Sequence, residues 1–228
     1  WSPENVLSQI DELVNKYGVK NIKIPDEMFV LNKNHVIQIC DGIIERGYKL
    51  NIWGYARVDT VKDYYLEKLK KAGFNWLGIG IESGSKFVRD GVEKGRFDVP
   101  EIISIVEKIR NHGIYVAANY IFGLPDDTNA SMQETLDLAI DLNTEWANFY
   151  SAMAYPGSPL FEHAFKNKIP TPDMDNGPGW IGYSQHSYEC MPLPTDTLNH
   201  TQVLDFRDKA FIDYFTNERY LTMINSKF

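Results

Sequence analysis

Gly80-Ile81-Glu82-Ser83-Gly84-Ser85 closes an apolar-rich run, Phe74 to Ile81. The run reads as a buried strand, so a carboxylate is presented where a strand meets a small, flexible loop. Ser83, Gly84 and Ser85 let the backbone come close to a ligand and offer amide and hydroxyl donors. A second strand, Tyr115 to Phe122, carries Asn119 and ends in Gly123-Leu124-Pro125. A third, Ala147 to Ala154, runs into Tyr155-Pro156-Gly157-Ser158-Pro159. Three strands ending in small or polar residues predict one rim lined for binding.

Outward from these strands, helix and strand alternate from the first residue. Ser2 caps a helix with Pro3 at its first position, and Val6, Leu7, Ile10, Leu13 and Val14 make its apolar stripe. A strand follows from Val19 to Ile24, then a helix from about Lys33 to Arg46 and a strand from Tyr48 to Trp53. Asp59 or Thr60 starts the next helix, with Val61, Leu66, Leu69 and Ala72 inward. Asp98 and Pro100 open another, with Ile102, Ile103, Val106 and Ile109 inward, and Thr128 opens one running to about Leu142. Gly18, Gly47, Gly73 and Gly113 stand at helix–strand joints, where a helix end often needs positive φ. Such alternation predicts a parallel sheet with right-handed crossovers. Periodicity alone fits both an open doubly wound sheet and a curved partial barrel.

After Pro159 the character changes. Residues 165 to 200 are rich in Pro, Gly and aromatic residues, and Trp180, Tyr183 and Tyr188 argue for an ordered covering segment. From Thr201 a helix resumes, with Val203, Phe206, Ala210, Phe211, Tyr214 and Phe215 at helical spacing, a stripe that docks on the sheet. The expected division is a barrel over 1–160 and a C-terminal extension over 161–228.

Composition narrows the class. The 228 residues are 43% hydrophobic and 24% charged, ordinary for a globular protein. No apolar window approaches the ~18 residues of a membrane span. A net charge of −8 argues against a nucleic-acid surface, which needs clustered Lys and Arg. Cys40 and Cys190 are far apart, which excludes a disulfide framework and favours a reducing, cytoplasmic compartment. The chain begins at Trp1 without Met, which is read as a segment of a longer protein.

In parallel α/β folds ligands sit at the carboxyl ends of strands. Those ends supply Pro25, Asp26 and Glu27; Gly54, Tyr55 and Arg57; Glu82 and Ser83; Asn119; and Tyr155. This mixture suits a zwitterionic or ribose-containing ligand better than a phosphate, which would want a Gly-rich turn and a Lys. Each has a plainer reading. Asp26 and Glu27 could cap the helix near Asn32, and Arg57 could pair on the surface with Asp59. Glu82 is harder to dismiss, since a carboxylate after an apolar strand is costly without a partner.

Taken in order, these segments resemble radical S-adenosylmethionine (SAM) enzymes, in the branch where a cobalamin-binding domain precedes the barrel. The resemblance is carried by Ser2-Pro3-Glu4-Asn5-Val6, Pro25-Asp26-Glu27-Met28-Phe29, Ala72-Gly73-Phe74 and Gly80 to Ser85. Lys94-Gly95, Phe122-Gly123-Leu124-Pro125 and Tyr155 to Pro159 complete it. It implies a partial parallel (β/α) barrel lacking its first strand, with SAM held across the strand ends. By the same resemblance, Asp26 and Glu27 contact the methionine amino group. Arg57, Glu82 (with Ser83) and Lys94 stand near the carboxylate, amine or ribose, Asn119 near the ribose, and the loop of Tyr155 near the adenine. It also implies a [4Fe–4S] cluster, cobalamin on a separate N-terminal domain, a small-molecule or lipid-like substrate, and a ferredoxin or flavodoxin as reductant. The family's cluster needs three cysteines in a CxxxCxxC loop, and thiolates are the ligands such clusters require. No such loop occurs here, so the segment alone is expected to be inactive. The alternatives are a non-catalytic barrel and a methylthiotransferase-like RNA modification enzyme, the latter disfavoured by the acidic charge.

Overall fold

The computed structural model describes residues 1–26, 29–91, 97–172 and 177–227. In chain order the elements are α1 (Pro3–Tyr17), β1 (Asn21–Lys23), α2 (Lys33–Glu45), β2 (Asn51–Arg57) and α3 (Asp63–Ala72). There follow β3 (Phe74–Glu82), α4 (Lys86–Gly91), α5 (Val99–Asn111), β4 (Tyr115–Phe122), α6 (Asn129–Leu142) and β5 (Trp146–Ser151). The remainder forms α7 (Pro159–Lys166), α8 (His200–Phe215) and α9 (Glu218–Lys227). The caps follow their residue types. Ser2, Asn32, Asp98, Thr128 and Asn199 each accept the backbone N–H three residues on, as orphan donors of a first turn require.

The five parallel strands lie in the order β1-β2-β3-β4-β5. Asn21 pairs with Asn51, and Arg57 with Gly80. Every spatial neighbour is the next strand in sequence. A doubly wound sheet reverses direction at a switch point, whereas a (β/α) barrel winds one way. Strand order therefore decides between the alternatives that periodicity left open, and the fold is a partial parallel (β/α) barrel.

The chain divides into two compact units: Trp1–Ile81 with Phe97–Ala118 and Thr144–Trp146, and Glu82–Arg96 with Asn119–Asn143 and Ala147–Phe228. In the first, Ile39, Ile43, Leu66, Leu69 and Ile109 are fully buried, and Phe29 stacks on Phe74 at 5.2 Å. Along β2 the buried Ile52 and Ala56 alternate with half-buried Trp53 and Tyr55, as a pleated strand requires. The Trp53 side carries an aromatic ladder: Trp53 on Trp76 at 5.3 Å, then Trp76 on Tyr115 at 5.1 Å.

In the second unit Phe122 and Phe149 stack at 5.6 Å and receive Phe206, Phe211 and Tyr214 of α8 edge-on. The stripe on the last long helix thus docks on β4 and β5. Gln185 donates to Ser151 O and accepts from Ser151 N, both at 2.9 Å, standing in for a neighbouring strand. Leu193 N adds a bond to Ala152 O at 2.9 Å.

Several sequence expectations are corrected. The second strand runs to Arg57, so Gly54 and Tyr55 lie within it. The helix expected at Asp59 or Thr60 begins at Asp63. Thr60 Oγ1 accepts from Arg57 N at 3.0 Å and donates to Arg57 O at 2.9 Å, which holds a 3₁₀ turn first. The third stretch ends as strand at Ser151, and Leu13 and Ile103 are exposed rather than inward.

Candidate cofactor-binding residues

Glu82 is the last residue of β3 and takes φ +69, a left-handed conformation costly for a side chain with a Cβ. Its side chain is half-buried. The loop behind it is fastened: Ser85 N donates to Ser83 Oγ at 3.1 Å, and the buried Arg89 donates to Ser83 O. Ser83 is fully buried, with its hydroxyl turned to Thr135 of α6 at 3.1 Å. Gly84 lies flat on the same helix; a Cβ there would stand 2.6 Å from Glu134 O and 2.8 Å from Thr135 Cα. Strain at a strand end, held in place by its surroundings, is a frequent mark of a ligand-binding position.

The loop after β4 is built around Asp127. Its Oδ2 accepts from Gly123 N and Leu124 N at 3.0 Å each, and its Oδ1 accepts from Ser131 Oγ at 2.6 Å. Burial pushes its carboxyl above the usual range, against the pull of those hydrogen bonds. Gly123 has φ +78, and a Cβ there would meet Val203 of α8 at 2.5 Å, so only glycine fits. Within β4, Asn119 accepts from Asn148 Nδ2 of β5 at 2.8 Å. Asn148 was not singled out from sequence, though a polar residue within an apolar strand was a readable signal. Asp127, Thr135 and Arg89 carried no such signal, since their partners lie across loops or on other elements.

Tyr155, exposed, stacks on Tyr183 at 5.6 Å and donates to Tyr183 O at 3.3 Å. Trp180 lies 5.9 Å from Tyr183. Glu82, Ser83, Asn119 and Tyr155 all belong to the second unit, and Asp26 and Arg57 to the first. Asp26 is exposed three residues past the end of β1, where its carbonyl accepts from Phe29 N at 3.1 Å. The cap of α2 is Asn32, which accepts from His35 N at 3.2 Å. Arg57 pairs with Asp59 at 2.8 Å. Glu27 and Lys94 lie outside the described residues.

The donor set fits SAM, because a carboxylate and two amides answer an ammonium and ribose hydroxyls. It does not fit an iron–sulfur cluster. Cys40 lies in α2 with its thiol pushed up to about 12 by burial, and burial also raises Cys190. Among the described residues no group of three or more His, Cys, Asp or Glu could hold a metal ion. No helix among the described residues is long and apolar enough to cross a membrane.

Comparison with known proteins agrees with the winding and the motif order. The chain belongs to the Radical SAM superfamily, whose profile matches residues 1–139. It is 30% identical over 168 residues to "Uncharacterized methyltransferase PH0819" of Pyrococcus horikoshii, covering 74% of this chain and 36% of that protein. It is 31% identical over 207 residues to the anaerobic magnesium-protoporphyrin IX monomethyl ester cyclase of Cereibacter sphaeroides, covering 89% of this chain and 32% of that protein. The chain thus spans about a third of these relatives' length. Among solved structures it resembles the radical SAM methyltransferase TsrM from Kitasatospora setae, determined with cobalamin and a [4Fe–4S] cluster bound. The TM-score is 0.59 at 18% identity, over 66% of this chain and 29% of that one, a likeness of fold. The superfamily uses SAM and a [4Fe–4S] cluster.

Proposed function

We propose that this chain supplies the SAM-binding barrel of a radical SAM enzyme that works with cobalamin on a small-molecule or lipid-like substrate. The observation that carries the reading is Glu82: a carboxylate held in a left-handed conformation at a strand's carboxyl end, within residues matched by the family profile. Glu82 would take the ammonium or ribose of SAM, and Asn119 and Asn148 would supply further hydrogen bonds. Asp26, Glu27, Arg57, Lys94 and Tyr155 are proposed as the remaining contacts, with Ser83 shaping the loop. When bound, SAM supplies the transferred methyl group or the precursor of the radical. The magnesium-protoporphyrin relative makes a tetrapyrrole the first substrate to try. Residues 161–228 are an extension of the barrel, a reading supported by the contacts of Gln185 and α8 with β5. A ferredoxin or flavodoxin in the cytoplasm is the proposed electron source.

Two measurements test this. Calorimetric titration of SAM should show binding to the chain that weakens at least about tenfold in Glu82→Ala, a loss of about 1.4 kcal/mol. Equal affinity in the two proteins would remove Glu82 from the site. Iron and sulfide analysis after anaerobic reconstitution should show no stoichiometric [4Fe–4S] cluster on this chain. A full complement of iron would mean that its own side chains, against the donor chemistry above, ligate one.

A further inference from the structure

We infer that Thr135, on α6 and far from any strand end in sequence, is the positioning residue that aims Glu82 at SAM. The inference rests on the reading of Glu82 as a SAM contact. Thr135 is fully buried, and its Oγ1 donates to Ser131 O at 3.0 Å, one helical turn back. Threonines inside helices often make that bond, and alone it would mean nothing more than a satisfied hydroxyl. It uses the group's single proton, however, so the hydroxyl oxygen is left as an acceptor. It receives Gly84 N at 2.8 Å and lies 3.1 Å from Ser83 Oγ, whose proton must therefore fill the second contact. Ser83 Oγ in turn accepts from Ser85 N at 3.1 Å.

One hydroxyl on a helix thus gathers the two residues that follow Glu82, 51 and 52 positions away in sequence. The room for the loop is narrow, since a Cβ at Gly84 would collide with the α6 backbone, and Arg89 donates to Ser83 O. Glu82 bears the consequence, a positive φ that a free chain would abandon. Replacing Thr135 by Val keeps the shape and leaves the Gly84 amide and the Ser83 hydroxyl without their acceptor. The loop can then relax toward ordinary φ, carrying the Glu82 carboxylate away from the ligand.

The test compares wild type, Thr135→Val, Thr135→Ser and Glu82→Ala in the 228-residue chain. SAM affinity should fall at least about tenfold in Thr135→Val, a change of about 1.4 kcal/mol, and return in Thr135→Ser, which restores the acceptor. Thr135→Val should add no further loss in a Glu82→Ala background, the mark of a residue acting through Glu82. A Thr135→Val protein that melts earlier yet binds SAM with wild-type affinity would overturn the inference and leave Thr135 a packing residue. If wild type and Glu82→Ala bind alike, the SAM reading of Glu82 fails by itself. The positioning claim is then decided by the amide chemical shifts of Glu82 and Gly84. Shifts displaced in Thr135→Val and restored in Thr135→Ser uphold it, and shifts unchanged in both overturn it.

Discussion

Glu82 and Glu145 are both glutamates of buried strands or their ends, one closing β3 and the other just before β5, and the structure holds them differently. Glu145 is 1% exposed. Its Oε2 accepts from Val116 N at 2.8 Å and its Oε1 from Arg110 Nε at 3.2 Å. Thr144 beside it is fully buried and donates to Trp146 O at 2.9 Å. Both carboxylate oxygens are used by the protein's own frame. Glu82 instead sits on a strained backbone at the carboxyl end of its strand, with its side chain half-buried. In barrels of this winding the amino ends of strands serve stability and the carboxyl ends serve chemistry. The rule that a carboxylate near an apolar strand needs a partner applies to both. What separates them is strand polarity, which residue types alone do not show.

The contrast breaks most sharply at Glu145. Glu145→Ala removes the acceptor of the buried Val116 amide and one partner of Arg110, which is about a quarter exposed. The expected loss is about 3 kcal/mol of stability, since breaking a buried charge pair leaves polar groups uncompensated. Urea unfolding at constant slope would show it, and SAM affinity measured well below the transition should be unchanged. A variant as stable as wild type would mean that Glu145 is as solvated as a surface residue. The expected order is the reverse at Glu82. Glycine populates the left-handed region freely, so Glu82→Gly should be about 1 kcal/mol more stable than Glu82→Ala, although neither should bind SAM well. Equal stabilities of the two variants would show that the positive φ is not held under strain.

Much of this was legible in the chain. The alternation of caps, stripes and glycine stops located α1, α2, α5, α6 and the five strands, because each is set by its own neighbours in sequence. The short α4 and α7 and the turn at Val58–Thr60 were not legible, being held by local bonds that apolar periodicity does not record. Glu82 and Asn119 stood out because a polar residue against an apolar run is visible in one dimension. Thr135 and Asp127 did not, because their roles lie in bonds to a loop 51 residues away and to a turn closed on itself. Strand order was beyond the pattern altogether, since the same αβ units can wind one way or reverse.

Arg57 is where the two kinds of role differ least in energy and so need the finest measurement. It ends β2, and its guanidinium lies 2.8 Å from Asp59 with both side chains nearly half exposed. Such a pair contributes about 0–1 kcal/mol, so Arg57→Ala and Asp59→Ala should each leave unfolding almost unmoved. Affinity is the discriminating quantity. If the guanidinium serves only Asp59, the two variants are equivalent and SAM binds both as it binds wild type. If it serves the SAM carboxylate, as its place at a strand's carboxyl end supports, Arg57→Ala weakens binding severalfold. Asp59→Ala then holds or improves affinity, because it releases the cation from a competing anion. The second pattern is the expected one, and rising salt should narrow the gap between the variants, as screening of an exposed cation requires.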